Sequence, residues 1–401
     1  MSFRDLGLHS AFADRCERLG YTEPTPIQKR AIPVVLEGGD VIACAETGTG
    51  KTAAFLLPIL NQQVQFLNKK GLRVLILSPT RELTNQIEAA CRQFMPKGLT
   101  CAAIIGGAGY AKQIQSLKQG VNILICTPGR LIDFMEQGLV NFKELNTLVL
   151  DEADRMLDMG FLPAIRRVVR AIPEKRQTLF FSATMAGEIE HVAMSLVKDP
   201  TWIEISKRGS AAVTVDQKAY PVAHEHKVPL LLELLGKEDF DRVLVFTRTK
   251  RGADRIAHIL EKRSLKSNRI HGDRSQSQRE SALRSFKDGK TRVLVATDVA
   301  ARGIDIDLVS HVINYDVPVV PEDYIHRIGR TGRAGNTGRA ITLLTLAEEH
   351  SMKAIERLTG QAVERVLLPD FGGVASAAVK PAGNSPKPVR KFRSFGGRRR
   401  R

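Results

Sequence analysis

The stretch AETGTGKT, from Ala45 to Thr52, decides how the first half of this chain is organised. The apolar run VIACA leads into it and the helical run TAAFLL follows, so its glycines fall at a strand-to-helix turn. Glycines let backbone N–H groups point inward, and the helix N-terminus adds partial positive charge at the same point. The pattern predicts a phosphate-binding loop in which Lys51 reaches the β- and γ-phosphates and Thr52 ligates Mg²⁺. Ala45 stands where the usual pattern, GxxxxGK[ST], has its first glycine.

The composition predicts two domains and an anionic partner. The 401 residues exceed the usual length of one domain, and 43% hydrophobic residues are enough to build two cores. The formal net charge of +17 indicates a partner such as nucleic acid or an anionic membrane. However, no apolar run is long enough to span a bilayer, and residues 1–10 lack the order of a signal peptide. We therefore expect a cytoplasmic protein with no membrane partner.

The cysteines agree with a reducing compartment. They are odd in number, contain no CxxC pair and lie mostly among apolar neighbours: Cys16, Cys44, Cys91, Cys101 and Cys126. We interpret them as reduced, small hydrophobic residues of the core.

Alternating apolar and helical segments predict the fold class. From residue 73 to about residue 205 the runs RVLILS, NILICT, TLVLDE and TLFFSAT are separated by helical segments, which is typical of a parallel sheet flanked by helices. This alternation of strands and helices stops at SKRGSAAVT and resumes with RVLVFT, RVLVATD, HVINYD and AITLLT. We therefore predict two α/β domains, residues 1–205 and 215–369, joined by a linker at 206–214.

Two adjacent carboxylates follow one of these strands in LVLDEAD. After a phosphate loop, an acidic residue at a strand end is what Mg²⁺ requires. Asp151 is the predicted metal carboxylate, acting through a water, and Glu152 would orient or deprotonate the attacking water. Because ligands bind at the carboxyl ends of parallel strands, SPTREL, TPGR, DEAD and SAT should gather on one edge of the sheet.

The end of the chain, residues 370–401, is predicted to be a disordered basic tail. Residues 371–401 contain nine Lys or Arg residues and no Asp or Glu, and too little apolar surface to fold alone. One interpretation is a solvated solubility segment. We favour a nonspecific nucleic-acid tether, because all its charges share one sign and Phe392 and Phe395 could stack on bases.

Residues 151–154 spell DEAD, and over residues 3–369 the chain resembles the DEAD-box RNA helicases, with at least nine family motifs in family order. It is similar in particular to bacterial members of the RhlE type. The resemblance implies two tandem RecA-like domains and an RNA-stimulated ATPase that uses ATP and Mg²⁺. It also implies RNA as a partner, bound without regard to sequence.

GYTEPTPIQ, residues 20–28, resembles the adenine-reading Q motif, with Phe3 as its isolated upstream aromatic. An amide such as Gln28 can give and take one hydrogen bond each, which matches the N6 and N7 edge of adenine. Tyr21 could stack on the ring. The resemblance thus implies a nucleotide-binding set of Phe3, Tyr21, Gln28, Thr47, Gly48, Thr49, Gly50, Lys51, Thr52 and Asp305, of which Asp305 would contact the ribose.

Further motifs resemble the RNA-contacting segments of the family. PTREL, a Gly-Gly pair and TPGR in the first domain supply hydroxyls, guanidinium groups and glycines that suit a sugar-phosphate backbone. The implied RNA set is Pro79, Thr80, Arg81, Gly106, Gly107, Thr127, Pro128, Gly129 and Arg130, with Arg248, Gly272 and Thr297 from the second domain.

YIHRIGRTGR, residues 324–333, would complete the nucleotide site from the second domain. Guanidinium forks match the charge that develops on a transferring γ-phosphoryl group, so Arg330 and Arg333 are the predicted arginine fingers. Arg327 could instead serve a basic nucleic-acid patch. Asp154, Ser182, Thr184 and His326 would couple the domains, and the hydroxyls of SAT could hydrogen-bond back toward DEAD.

The implied mechanism is closure of a cleft. RNA and ATP both bind between the domains, so each strengthens the other, and the closed state bends one strand so that a few base pairs separate locally. An alternative is an RNA chaperone or clamp that anneals or holds RNA through the tail, with ATP timing its release. A duplex-translocating DNA helicase is disfavoured by the Q motif and DEAD, and a dinucleotide-binding enzyme by the lack of a GxGxxG turn with its distant acid.

Overall fold

The computed structural model describes residues 1–45, 48–185, 187–205, 215–237, 240–301, 306, 309–332 and 338–371. These residues form two α/β domains, one on either side of the predicted linker, so the predicted fold class is confirmed. The linker at 206–214 and residues 372–401 of the predicted tail, including Phe392 and Phe395, lie outside the described residues. In the described part of the chain, no helix is long and apolar enough to cross a membrane.

The first domain is built on a parallel sheet that has seven strands within the described residues. Their spatial order is β3-β4-β2-β5-β6-β1-β7. The strands are β1 (Val41–Cys44), β2 (Val74–Leu77), β3 (Cys101–Ile104), β4 (Ile123–Cys126), β5 (Thr147–Leu150), β6 (Gln177–Ser182) and β7 (Thr201–Glu204). The helices are α1 (Ser10–Arg18), α2 (Pro26–Leu36), α3 (Lys51–Gln63), α4 (Arg81–Phe94), α5 (Tyr110–Gln119), α6 (Pro128–Glu136), α7 (Ala153–Asp158), α8 (Leu162–Ala171) and α9 (Glu188–Met194).

The second domain repeats this plan. Its described residues form a parallel sheet of seven strands in the order β10-β11-β9-β12-β13-β8-β14. The strands are β8 (Val215–Pro221), β9 (Val243–Phe246), β10 (Ser267–Ile270), β11 (Val293–Ala296), β12 (His311–Asn314), β13 (Gly338–Leu344) and β14 (Glu364–Arg365). The helices are α10 (Lys227–Leu235), α11 (Lys250–Lys262), α12 (Gln276–Lys287), α13 (Asp298–Ala301), α14 (Pro321–Ile328) and α15 (Glu349–Thr359).

Both sheets are buried on both faces, which explains their apolar strands. In the first domain one core cluster lies on each side of the sheet, and alternate residues of one strand enter different clusters: Val74 and Ile76 enter one, Leu75 and Leu77 the other. Strands covered on both sides by helices read as continuous hydrophobic runs rather than as alternating patterns. This burial fixes the sheets and leaves their polar strand ends for chemistry.

The register brings the strand ends to a common edge. Leu77 of β2 lies level with Cys126 of β4 and Leu150 of β5. In the second sheet, Phe246 of β9 lies level with Ala296 of β11. The segments that follow these strands therefore begin side by side.

The second domain continues slightly past its predicted end at residue 369. Pro369–Phe371 forms a 3-10 helix, and the Phe371 ring lies edge-on to His226 with centroids 6.5 Å apart. Phe371 also accepts a backbone hydrogen bond from Ala223. Asp370 and Phe371 thus belong to the domain and not to the tail, because the Phe371 ring packs against the core of the second domain.

A buried charge network ties the second domain together. Lys227, which is 1% exposed, donates to Glu348 Oε2 at 2.8 Å and to the carbonyl of Tyr315 at 2.7 Å. The other carboxylate oxygen of Glu348 accepts from Arg248 Nη2 at 3.0 Å. Burial alone would raise the pKa of Glu348, but the Lys227 ammonium and hydrogen bonds from Thr345 outweigh it and hold the pKa below its usual 4.5. Glu348 therefore stabilises the fold in its ionised form.

Glu348→Gln should lower the free energy of unfolding at neutral pH by about 3 kcal/mol, because it removes the nearer carboxylate of the buried Lys227 ammonium and leaves Asp316, at 3.5 Å, to balance its charge. The folded-state pKa of Glu348 is lowered, so its contribution is present above pH 4.5 and is lost as the pH falls through the folded-state value. The difference between the two proteins should shrink accordingly in acid. Urea unfolding followed by circular dichroism at several pH values measures it.

The matched control is Glu136→Gln. Glu136 pairs with Arg167 on the surface, with both side chains more than half exposed. Exposed pairs contribute about 0–1 kcal/mol, so this variant should unfold almost as the unchanged protein does. Equal losses in the two variants would contradict the role assigned to the buried network.

Candidate active site at the interdomain cleft

The polar strand ends divide the edge of the first sheet into two halves. The phosphate loop, DEAD and SAT follow β1, β5 and β6, which are neighbours in the sheet. PTREL, the Gly-Gly pair and TPGR follow β2, β3 and β4, which form the adjoining group. The structure thus brings the predicted nucleotide residues together on one half of the edge and the predicted RNA residues on the other.

The phosphate loop forms the predicted strand–turn–helix unit between β1 and α3. Gly48 and Gly50 have φ values of 86° and 94°, a left-handed conformation that favours glycine. Lys51 opens α3, is buried, and donates from Nζ to the carbonyl of Ala45 at 2.8 Å. The lysine head is therefore folded back over the loop. Thr47 lies outside the described residues.

Gln28 connects the Q motif to the phosphate loop. Its Nε2 donates to the carbonyl of Gly50 at 3.1 Å, and its Oε1 accepts from the backbone N–H of Thr25 at 3.0 Å. A Cβ at Gly50 would lie 2.5 Å from Nε2, so the contact also requires glycine there. An amide has two N–H groups and two lone pairs, so one of each remains for a base.

The aromatic residues of the Q motif differ in exposure. Tyr21 is 39% exposed, with one side of its ring near Phe94 at a centroid distance of 5.5 Å, so a face remains open. Phe3 is 3% exposed and belongs to the hydrophobic core of the first domain. The expected direct contact between Phe3 and a nucleotide is not met here, because the core encloses the ring.

The DEAD residues lie buried where β5 ends. Asp151 Oδ1 accepts from the backbone N–H of Glu152 at 3.0 Å. Asp154 Oδ2 accepts from the N–H of Ala183 at 3.1 Å and from the N–H of Thr184 at 3.0 Å. DEAD and SAT are thus directly linked across two neighbouring strands.

The two hydroxyls of SAT behave differently. The hydroxyl of Thr184 lies 3.2 Å from Asp154 Oδ2, as expected. Ser182 instead donates to the carbonyl of Thr184 at 2.5 Å, so the expectation that it bonds toward DEAD is wrong in this structure. The carbonyl of Thr184 thus gives the serine hydroxyl a hydrogen-bond partner within the SAT turn itself.

Asp151 and Glu152 are adjacent but differ in electrostatics. Burial raises the pKa of Asp151 to about 7, although the Lys51 ammonium opposes this. Burial would also raise the pKa of Glu152, but the charges of Arg155, Lys51 and Arg330 lower it to about 2. Glu152 is therefore ionised throughout the neutral range, whereas Asp151 needs a cation to stay fully ionised.

The second domain reaches this site through α14 and the residues after it. Arg330 and His326 line a small cavity together with Glu152, Asp154, Arg155, Asp158 and Ala183 of the first domain. Arg330 is 3% exposed. Of the predicted residues on this side, Arg333 and Asp305 lie outside the described residues.

Arg327 does not serve a basic surface patch. It is fully buried and donates to both carboxylate oxygens of Asp298, at 2.5 and 2.8 Å, and to Asn314 Oδ1 at 3.1 Å. A guanidinium group satisfied in this way has no surface left for a phosphate. Arg327 instead anchors α14, which positions Arg330.

Arginines of the PTREL and TPGR segments gather beside the Gly-Gly pair. Arg81 packs so tightly against Gly107 that a Cβ there would lie 2.1 Å from its Nη1. Arg130 lies over the Tyr110 ring, 4.0 Å from its centroid. Burial lowers the pKa of Arg81, and the charges of Arg279 and Arg130 lower it further. This crowding of positive charge favours an anionic ligand.

The remaining predicted RNA residues lie at equivalent places in both sheets. Pro79 with Thr80, Gly106, and Thr127 with Pro128 and Gly129 follow β2, β3 and β4, whereas Arg248, Gly272 and Thr297 follow β9, β10 and β11. The strand orders β3-β4-β2 and β10-β11-β9 correspond. The two domains thus present matching edges.

Comparisons with known proteins agree with this geometry. Residues 25–192 match the DEAD/DEAH box helicase model, and residues 226–335 match the helicase conserved C-terminal domain. The chain is 42% identical over 369 residues to a DEAD-box ATP-dependent RNA helicase, CshA of Geobacillus kaustophilus, covering 92% of this chain and 79% of that protein. This chain belongs to the DEAD-box family of ATP-dependent RNA helicases.

Two further proteins are similar to this chain. ATP-dependent RNA helicase vasa of Drosophila melanogaster is 44% identical over 359 residues, which cover 88% of this chain but only 54% of vasa. Dbp5 of S. cerevisiae, bound to RNA and ADP BeF3, is 31% identical with a TM-score of 0.84, covering 93% of this chain and 97% of that one. The tandem domains are therefore RecA-like, as expected, and the RhlE subtype stays a prediction.

This DEAD-box protein also has a contact between its domains that the sequence did not predict. Glu82 on α4 accepts from Arg279 of α12 at 2.9 Å and from Gln276 at 3.2 Å. Asn85 and Glu280 approach at 3.4 Å beside them. Glu82 lies within PTREL, and an acidic residue among the arginines of the first-domain edge was the signal that could have indicated a partner.

Arg279→Met should open the cleft, because it leaves the buried Glu82 carboxylate unpaired at a cost of about 3–5 kcal/mol. The double variant Glu82→Gln with Arg279→Met removes both charges and should open it less. Small-angle X-ray scattering with single-stranded RNA and ADP–beryllium fluoride measures this as a larger radius of gyration. Arg167→Met, on an exposed pair within one domain, is the control. Identical scattering from it and from Arg279→Met would refute the idea that the contact between Glu82 and Arg279 holds the domains together.

Proposed function

We propose that this protein is an RNA-stimulated ATPase and ATP-dependent RNA helicase that locally separates short RNA duplexes. One observation carries the proposal: the small cavity beside Glu152 is lined by DEAD residues of one domain and by His326 and Arg330 of the other. Such a site is complete only when the domains are closed. The names of the relatives, ATP-dependent RNA helicases, and the RNA bound to Dbp5 support the same activity.

The residues present fit a nucleotide-bound Mg²⁺ ion. Asp151 is a buried carboxylate with a pKa raised to about 7, a state that a nearby cation would relieve. Thr52, in the first turn of α3, would be the hydroxyl ligand. When bound, the ion would neutralise charge on the β- and γ-phosphates. Asp151 would hold it through a water.

Glu152 would position the attacking water. Its pKa of about 2 makes the carboxylate a weak proton acceptor but a permanent hydrogen-bond acceptor at neutral pH. Orientation of the water is therefore its main contribution, and phosphate oxygens take the proton. Arg330, with Arg333 beyond the described residues, would stabilise charge on the transferring phosphoryl group.

RNA would act by favouring closure. Its backbone would lie along the matching edges of both domains, so it binds best when they are aligned, and ATP binding favours the same state. Contacts to phosphates and sugars carry no base information, which makes the binding independent of sequence. The bond from Thr184 to Asp154 would connect the SAT turn to the nucleotide half. Bending of one strand in the closed cleft would then disrupt a short duplex.

Lys51→Ala should reduce RNA-stimulated ATP hydrolysis to background, because it removes the cation that faces the β- and γ-phosphates. Release of inorganic phosphate with and without single-stranded RNA measures this. Lys143→Ala, on an exposed lysine just before β5, is the control. A normal rate of ATP hydrolysis by Lys51→Ala would contradict the assignment of this segment as a phosphate-binding loop.

Arg330→Ala provides the contrasting variant in the same experiment. An arginine finger acts on the transition state, so hydrolysis should fall by about 10³–10⁵-fold while ATP binding is nearly unchanged. Lys51→Ala and Arg330→Ala should therefore separate binding from chemistry. Parallel loss of both in Arg330→Ala would assign the residue to binding.

The basic tail supports a second candidate function, an ATP-timed RNA chaperone or clamp. Residues 371–401 hold nine basic and no acidic residues, which account for more than half of the net charge of +17. Electrostatic binding of this kind supports annealing and holding of RNA without duplex separation. The helicase and the chaperone or clamp differ in how far their activity on RNA depends on the tail.

A chain ending at Phe371 should bind single-stranded RNA with a weaker salt dependence, by ~0.7 in logarithmic slope for each phosphate that the tail neutralises. The helicase proposal expects duplex separation per bound RNA to survive this truncation. The clamp proposal expects annealing to collapse while ATP hydrolysis per bound RNA survives. A full-length chain with a shuffled tail of the same composition is the control and should keep the slope.

A further inference from the structure

Arg155 follows DEAD directly and forms a buried ion pair with Glu152. It lies in the first turn of α7, and its Nη1 donates to Glu152 Oε2. The two side chains are 8% and 7% exposed. Charge-assisted hydrogen bonds of this type are short and strong, and they fix both partners in direction.

Two further nitrogens of Arg155 have no partner. Its Nε and Nη2 are buried and make no hydrogen bond among the described residues. Leaving a buried donor unpaired costs free energy, and native proteins rarely accept it without a reason. Arg155 faces the cavity that His326 and Arg330 reach from the second domain. The guanidinium group is thus placed between the Glu152 carboxylate and the interdomain cavity.

The charges around the cavity argue against a separate anion site. The lining residues include three carboxylates, Glu152, Asp154 and Asp158, against the guanidinium groups of Arg155 and Arg330 and the imidazole of His326. An inorganic anion would gain no excess of positive charge there. Asp154 is in addition already occupied by the N–H groups of the SAT turn. The arrangement instead suits a guanidinium group, that of Arg155, which holds the Glu152 carboxylate in place.

Glu152 needs such a support. Its backbone adopts a left-handed conformation, φ 50° and ψ 53°, at the start of α7, and its side chain has no cap hydrogen bond with that helix. A glutamate side chain has several rotatable bonds, so without a partner it could point in many directions. Misplacement of a catalytic group by about 1 Å can reduce a rate by roughly 100-fold.

We infer that Arg155 is a positioning residue that fixes the Glu152 carboxylate on the side of the cleft that Arg330 reaches. The inference rests on the proposed function, in which Glu152 orients the attacking water. Arg155 would not touch the substrate and would act through Glu152 alone. Its bond to Glu152 holds the guanidinium group at the lining of the cavity in which the two domains meet.

A double-mutant cycle on kcat tests this inference. Arg155→Met keeps the bulk of the side chain but no donor, and should lower kcat of RNA-stimulated ATP hydrolysis by about 100-fold. In a Glu152→Gln background the same change should lower kcat by no more than about threefold, since its target is already removed. Single-turnover hydrolysis resolves such slow rates. Equal fold-losses in the two backgrounds would overturn the inference.

A purely structural role would give a different pattern. We expect the KM for ATP and the affinity for RNA of Arg155→Met to stay near those of the unchanged protein, and Arg155→Lys to recover part of kcat. The thermal midpoint should fall in Arg155→Met, because the buried Glu152 carboxylate loses its partner, and should be largely restored in the double variant with Glu152→Gln. Loss of substrate binding together with kcat, or a thermal midpoint that stays low in the double variant, would assign Arg155 to the fold and refute positioning. Arg167→Met is the matched control, because Arg167 pairs with Glu136 on the surface.

Failure of the proposed function itself would look different from failure of this inference. A chain without ATPase or helicase function would show no RNA-stimulated hydrolysis in its unchanged form. An error confined to Arg155 would leave that activity intact and would appear only as additive losses in the cycle.

Discussion

The pKa values of the two adjacent carboxyl groups at the end of β5 depend on where the protein places its positive charges. Asp151 and Glu152 are both buried, yet the pKa of one is raised to about 7 and that of the other is lowered to about 2. Burial raises the pKa of both carboxyl groups, so the difference between them comes from the neighbouring cations. Lys51 acts on both carboxyl groups, but Arg155 and Arg330 act on Glu152, and Lys51 alone does not offset the burial of Asp151. In the proposed site the two acids would thus serve as a metal ligand and as a permanently ionised acceptor.

Closure of the cleft also requires that negative charges balance the positive charges that it brings together. Arg279 approaches both Glu82 and Arg81 when the domains meet, and Arg130 adds a third guanidinium group nearby. The contact with Glu82 compensates part of this crowding, but only for Arg279. An anionic strand lying against these arginines would compensate the rest. This gives a physical reason why RNA should favour the closed state, beyond the fact that its contacts come from both domains.

Most of the fold was predictable because the central strands are apolar runs, such as those that became β2, β4, β5 and β6. Five of the described strands were not predicted, and they are less uniform: β3, β7, β8, β10 and β14. For example, β10 reads SNRI and is only partly buried before its last residue, and β3 has a half-buried alanine. All but β8 lie at the ends of their sheets, where the described residues supply a neighbouring strand on one side only, and β8 lies next to the two-residue strand β14. An edge strand needs fewer apolar residues and therefore leaves a weaker pattern.

The candidate site was predictable where a motif and its partner are close in sequence, as in the phosphate loop and DEAD. It was not predictable where the fold decides the partner. Phe3 and Arg327 have residue types that suit a ligand, but packing and Asp298 take them out of reach. Conversely, Arg155 and Glu82 gain their importance from residues that only the fold brings near. Arg327 nevertheless contributes indirectly, because its buried bonds fix α14 and hence Arg330. Each domain therefore positions its own candidate groups through buried contacts, and we expect the distance between the domains to be the variable that controls the proposed reaction.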